Sequence, residues 1–102
     1  MLEKLNLDGK TVVITGGGTG LGREMVRHMA RAGADIVIAA RRMGPIEEAA
    51  AEVREMGRKS IAVSTDATDT KQVAALFERT LREFGKVDVL FNNAGIVRGQ
   101  AR

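Results

Sequence analysis

Four short apolar runs alternate with helical patterns along this chain, and that alternation limits the possible folds more than any other feature. The first run, Lys10 to Thr15, centres on Val12-Val13-Ile14, and the second, Asp35 to Ala40, reads Ile36-Val37-Ile38-Ala39-Ala40. The third, Ser60 to Thr65, is built around Ile61-Ala62-Val63, and the fourth spans Val87 to Phe91. Continuously apolar strands are expected where a sheet is covered on both faces. Between them, a helix from about Gly20 to Ala32 carries Leu21, Met25, Val26, Met29 and Ala30, with Arg23, Glu24, Arg27, His28 and Arg31 on its polar side. A second helix opens at Gly44-Pro45 with Ile46, Ala49, Val53 and Met56 as its stripe, and Glu47, Glu48, Glu52 and Glu55 read as a solvated face. A third follows Asp69, which with Gln72 resembles a capping box, and turns Val73, Leu76, Phe77, Leu81 and Phe84 inward. Gly33, Gly57 and Gly85 mark the helix ends. The order βαβαβαβ, with short connections, predicts an α/β fold: one doubly wound parallel sheet with right-handed crossovers.

The turn after the first strand, TGGGTGLG from Thr15 to Gly22, is the richest in chemistry. Glycines let the backbone take positive φ and let a ligand approach without meeting a Cβ. The helix that starts there offers unpaired N–H groups and a positive dipole end, a ready place for phosphate or pyrophosphate. The fingerprint GxGxxG does not fit, because Gly16 and Gly18 would need a glycine where Leu21 stands. A P-loop fails too, since Arg23 and Glu24 occupy the positions of its Lys and Ser/Thr. The spacing that fits is GxxxGxG at Gly16, Gly20 and Gly22; the plainer alternative is a tight turn in which Gly22 packs helix against strand.

Composition narrows the function classes. The 102 residues suffice for one small domain, with 44% hydrophobic and 28% charged residues as in ordinary soluble proteins. The net charge of +3 is spread without a long basic run, which argues against a dedicated nucleic-acid surface. No stretch is apolar enough to span a membrane, and MLEKLNLDGK lacks the apolar core of a signal peptide. With no Cys, no disulfide framework or thiolate metal site is expected; no metal site is foreseen, and a cytoplasmic setting is expected. There is no Tyr or Trp and a single His, His28, which reads as a solvated helix residue, so no catalytic residue is assigned within the chain.

In open parallel sheets ligands bind beyond the carboxyl ends of the strands. Four marked stretches fall there: the glycine turn, Arg41-Arg42, Asp66-Ala67 and Asn92-Asn93-Ala94-Gly95. A flavodoxin-like layout shares the alternation, but the flavin-binding groups it would usually place at these ends are not evident.

TGGGTGLG after the first strand, Asp66 after the third and NNAG after the fourth, in that order, resemble the short-chain dehydrogenase/reductases over the entire chain. TGGGTGLG with IAARRM (Ile38 to Met43) is similar to 2,4-dienoyl-CoA reductases, and NNAGI to 3-oxoacyl carrier-protein reductases. The resemblance implies a Rossmann-like sheet of strand order 3-2-1-4. It places the cofactor pyrophosphate on Gly16, Gly18, Thr19, Gly20, Leu21 and Gly22. Asp66 and Ala67 would meet the adenine, while Asn92, Asn93, Ala94 and Gly95 would tie the fourth strand to its neighbours and line the ribose. The plainer readings are helix capping for Asp66, with Thr68 and Asp69 better placed for it, and a polar turn for the asparagines. Members specific for NAD carry an acid after the second strand, whereas this chain has Ala40, Arg41 and Arg42. Arginine there would pair with a 2′-phosphate, so NADP(H) is the favoured cofactor and NAD(H) the possible one; two solvated loop charges are the plainer alternative.

The family's catalytic Ser, Tyr and Lys lie beyond NNAG. The chain therefore reads as residues 1–102 of a longer single-domain enzyme, truncated after the fourth strand and inactive alone. When full length it is expected to act on a small carbonyl, hydroxyl or enoyl substrate and to form a homo-oligomer. The alternatives are a stand-alone, non-catalytic nucleotide-binding regulatory module and a basic nucleic-acid-binding domain.

Overall fold

The computed structural model describes residues 6–93. Ala94 and Gly95, assigned above to the ribose site, lie outside the described residues. The elements run β1 (Thr11–Thr15), α1 (Gly20–Arg31), β2 (Asp35–Ala40), α2 (Met43–Glu55), β3 (Ser60–Ser64), α3 (Thr70–Phe84) and β4 (Val89–Asn92). The four strands form one parallel sheet of order β3-β2-β1-β4, the Rossmann-like order expected. β1 lies at its centre, with Ile14 opposite Ile38 on one side and Phe91 on the other.

Successive strand residues face opposite sides of a sheet. Val12, Ile14, Ile36 and Ile38 therefore turn toward α1 and α2, where Val26, Met29, Ala30, Ile46, Ala49, Ala50 and Val53 complete a buried core. Val13, Val37 and Ala39 turn the other way, toward Leu76 of α3, with Phe77 and Phe84 half-buried beside them. β1 and β2 are buried on both faces as their apolar runs predict, but β4 is not.

Several details depart from the pattern-based expectation. β4 begins at Val89 rather than Val87, because Asp88 first closes the sheet's lower edge: its N–H donates to the Thr11 carbonyl and its carboxylate accepts from Thr11 N–H at 2.8 Å. α2 begins at Met43, one residue before the Gly44-Pro45 start read from the sequence, and Pro45 stands in its first turn as expected. In α3 the inward stripe is rotated: Leu81, expected inside, is 52% exposed, while Thr80 is 0% exposed. Thr80 tolerates burial because its hydroxyl donates back to the Leu76 carbonyl at 2.8 Å. Asp69 caps α3, accepting from Lys71 and Gln72 N–H, but Gln72 widens the expected box: its Oε1 accepts from Asp66 N–H rather than from the cap's own amide.

Candidate cofactor site

The marked stretches gather at the carboxyl edge of the sheet, where the chain switches sides between β1 and β4. Gly16 has φ +78°, a left-handed conformation that favours glycine, and its N–H donates to the Ala39 carbonyl at 2.7 Å, tying the turn to β2. Gly22 packs so closely that an added Cβ would overlap the Gly16 carbonyl oxygen and lie 2.9 Å from Asn93 Nδ2. Both properties that the sequence suggested for this turn, backbone freedom and close helix–strand packing, are therefore in use. Thr19 precedes α1 in extended conformation, its side chain makes no capping bond, and no acid sits in the helix's first turn. The first amides of α1 and its dipole are thus left to attract an anion. Leu21, read as part of the helix's apolar pattern, is instead 67% exposed.

Two clefts meet over Ala40 and Arg41. One, of about 200 Å³, lies between the turn (Gly16, Gly18, Thr19) and the start of α2 (Arg41, Arg42, Pro45, Ile46). The other, of about 340 Å³, runs over Thr15, Ala39, Thr65 to Thr68, Leu76, Phe77, Leu90 and Asn92. Arg41 and Arg42 are exposed, and neither guanidinium makes an ion pair among the described residues. Both are therefore available to an incoming anion.

Asp66 lines the larger cleft. The Thr68 hydroxyl donates to its Oδ1 at 2.7 Å and the Thr68 N–H at 2.9 Å, which, with the nearby Arg41 charge, holds its carboxyl below the usual range. Both bonds fall on Oδ1, leaving Oδ2 for another donor. Since Asp69 performs the capping of α3, Asp66 is spared that task. Ala67 beside it is exposed to the same cleft. On β4, Thr15 Oγ1 donates to Asn92 Oδ1 at 2.8 Å, and Asn93 Nδ2 donates to the Gly16 carbonyl at 3.2 Å. The asparagines thus bind β4 to β1 and to the glycine turn.

One cluster escaped the sequence. Glu52, read as part of a solvated face, accepts from Arg27 Nε at 2.9 Å on one oxygen and from Arg23 Nε and Nη2 at 3.2 Å on the other. These bonds, Arg27's foremost, hold its carboxyl below the ordinary glutamate range. No local signal announces it, because the partners lie on different helices.

A parallel sheet of this order, with a glycine turn and a helix N-terminus at its switch point, defines the dinucleotide-binding class of α/β proteins. Within that class the chain belongs to the short chain dehydrogenase family, whose profile matches residues 10–102. It is 44% identical over 98 residues to the 2-dehydro-3-deoxy-D-gluconate 5-dehydrogenase of Dickeya dadantii, covering 96% of this chain and 38% of that protein. L-sorbose reductase from Gluconobacter frateurii, solved with NADPH and L-sorbose, superposes with a TM-score of 0.85 at 36% identity, over 89% of this chain and 35% of that one. NAD+-bound xylitol dehydrogenase superposes with a TM-score of 0.81 at 33% identity, over 87% of this chain and 34% of the other. The chain thus spans well under half the length of these relatives.

Proposed function

We propose that this chain forms the nicotinamide-dinucleotide site of an oxidoreductase and that the site prefers NADP(H). Two related structures carry NADPH and NAD+ respectively, so kinship alone leaves the choice open. The observation that carries the preference is the smaller cleft, walled on one side by the glycine turn and on the other by Arg41 and Arg42. The turn suits a pyrophosphate because the first amides of α1 carry no side-chain cap and no acid stands in its first turn. Arg41 and Arg42 would hold a 2′-phosphate through paired N–H bonds that a ribose hydroxyl cannot match. Asp66 Oδ2 would accept from the adenine amino group, with the Ala67 N–H at the ring, and Asn92 and Asn93 would steady the ribose side.

When bound, the nicotinamide supplies hydride transfer to or from a small carbonyl, hydroxyl or enoyl substrate. This chain's residues bind and orient the cofactor; with no Tyr among its 102 residues, we place proton transfer elsewhere in the whole protein. A cytoplasmic setting and self-association of the whole protein belong to the same proposal. Among the described residues no helix is long and apolar enough to cross a membrane.

Calorimetric titration with NADP+ and NAD+ tests the preference. Hydrogen bonds to charged groups contribute about 1.5–3 kcal/mol, which corresponds to roughly ten- to a hundredfold discrimination. Solvent exposure of both arginines pulls the expected value toward tenfold. Arg41→Ala or Arg42→Ala should erase it while leaving NAD+ affinity nearly unchanged. Equal wild-type affinity for both cofactors would return the arginines to the status of solvated loop charges. The 102-residue chain should not turn over any carbonyl or alcohol; turnover abolished by a substitution within it would overturn the assignment of proton transfer elsewhere.

A further inference from the structure

The Arg23–Glu52–Arg27 cluster joins α1 to α2, but its two arginines are not equivalent. Arg27 Nε takes one Glu52 oxygen and its Nη1 pairs with Glu24. Arg23 takes the other Glu52 oxygen and also turns Nη1 to the Gly18 carbonyl, a long bond at 3.4 Å. Only Arg23 therefore reaches the glycine turn.

Gly18 is held on its other side as well. An added Cβ there would lie 2.9 Å from Pro45 Cβ and 3.2 Å from Ile46 Cγ2. The residue sits between the first turn of α2 and the Arg23 guanidinium, and α2 is the helix that Arg42 introduces as N-cap. Both walls of the smaller cleft are thus linked through one side chain. The peptide plane adds a direction: in a trans peptide the C=O and the following N–H point opposite ways. Holding the Gly18 carbonyl against Arg23 turns the Thr19 N–H away from it, and Thr19 lines the cleft.

We infer that Arg23 is a positioning residue for the phosphate-binding turn: paired to Glu52, it holds the Gly18 carbonyl and so sets the turn and the Thr19 amide against α2. The inference rests on the dinucleotide reading for its functional meaning and on hydrogen-bond geometry alone for its structural content. A planar guanidinium can serve a carboxylate and a carbonyl together, whereas a lysine ammonium is a point charge. Arg23→Lys therefore keeps attraction to Glu52 and loses the fork.

The experiment compares Arg23→Gln, Arg23→Lys and Arg27→Gln in the full chain. Backbone 15N relaxation without nucleotide reads the turn directly. In Arg23→Gln the order parameters of residues 17–20 should fall from about 0.85 to below about 0.6, while Arg27→Gln leaves them unchanged. A turn that is competent a tenth of the time binds about tenfold more weakly, so the Kd for NADP+ should rise about tenfold in Arg23→Gln and less than twofold in Arg27→Gln. Both Gln variants lose a Glu52 partner, so a purely structural role would move both alike. If Arg23→Gln does not fold, Arg23→Lys carries the test and should still loosen the turn. Equal order parameters in the Arg23 and Arg27 variants overturn the inference. Absence of NADP+ binding by the wild type overturns the dinucleotide reading instead, and the relaxation data still decide this one.

Discussion

The two faces of the sheet are built from the same strands and finished to different degrees. Under α1 and α2, strand residues Val12, Ile14, Ile36 and Ile38 meet a continuous set of buried helix residues. Under α3, Leu76 is the buried apolar helix residue, Phe77 and Phe84 are half-buried, and Leu81 and Leu90 are exposed. Geometry accounts for the difference. Four strands about 4.8 Å apart present a face roughly 19 Å wide, and a helix with side chains covers about 10–12 Å of it. Two helices finish a face; one leaves nearly half open. The glycine turn belongs to the finished side, since an added Cβ on Gly17 would lie 2.8 Å from Ile38 Cγ2. The larger cleft opens on the unfinished side, beside Leu76, Phe77 and Leu90. The glycine-turn end of the candidate site thus rests on close packing and the other end on a partly open wall.

The sharpest way to break this comparison is a pair of truncations. Ile38→Ala, on the finished face and fully buried, should cost about 2–5 kcal/mol in urea denaturation. Leu90→Ala should stay within about 0.5 kcal/mol, as exposed substitutions do. Similar losses would mean that the two faces are equally packed.

Next in size is the turn. Gly22→Ala forces a Cβ into the Gly16 carbonyl and should cost about 1–3 kcal/mol together with most NADP+ affinity. Gly57→Ala, at φ +87° with nothing within 4 Å, should cost about 1 kcal/mol from backbone strain and leave cofactor affinity intact. An effect of Gly57→Ala on NADP+ binding would show that affinity follows global stability, not turn geometry.

The open face should also make the 102-residue chain self-associate, because β4 is an edge strand among the described residues and Leu81 and Leu90 are each 52% exposed. Leu81→Gln with Leu90→Gln should weaken association about tenfold in sedimentation, the loss of roughly 1.4 kcal/mol of apolar contact. A wild type that remains monomeric at high concentration would count against the open face.

The smallest expected effect is electrostatic and lies on the finished side. Glu52 has a folded-state pKa below its unfolded value of about 4.3. Its contribution is therefore complete above that value and disappears as pH falls through the folded pKa. The melting-temperature gap between wild type and Glu52→Gln should shrink steadily on acidification from about pH 5 to pH 3. A gap that stays constant would mean that Glu52 stabilises through packing alone.

Much of this was legible in the chain itself. The apolar runs of β1 and β2, the glycine turn, the Asp69 cap and the βαβαβαβ order are local patterns, and backbone preference and side-chain period act locally. The rotation of α3 was less legible, because Thr80 and Leu81 are adjacent and only the helix's seat on the sheet decides which is covered. β4 is an apolar run like β1 and β2, yet it is largely exposed; whether an apolar strand is covered depends on neighbours that its own residues do not specify.

Sequence alone determined the class of fold and which stretches fall at the carboxyl ends of the strands, because period and turn chemistry follow from neighbouring residues; the strand order came only from the family resemblance. Tertiary structure alone decided that Glu52 meets Arg23 and Arg27 and that Arg23 reaches the Gly18 carbonyl. The first joins residues on two separate helices and the second joins α1 to the glycine turn. Such bonds form only when packing sets distance and angle together, within the few tenths of an ångström that a hydrogen bond allows.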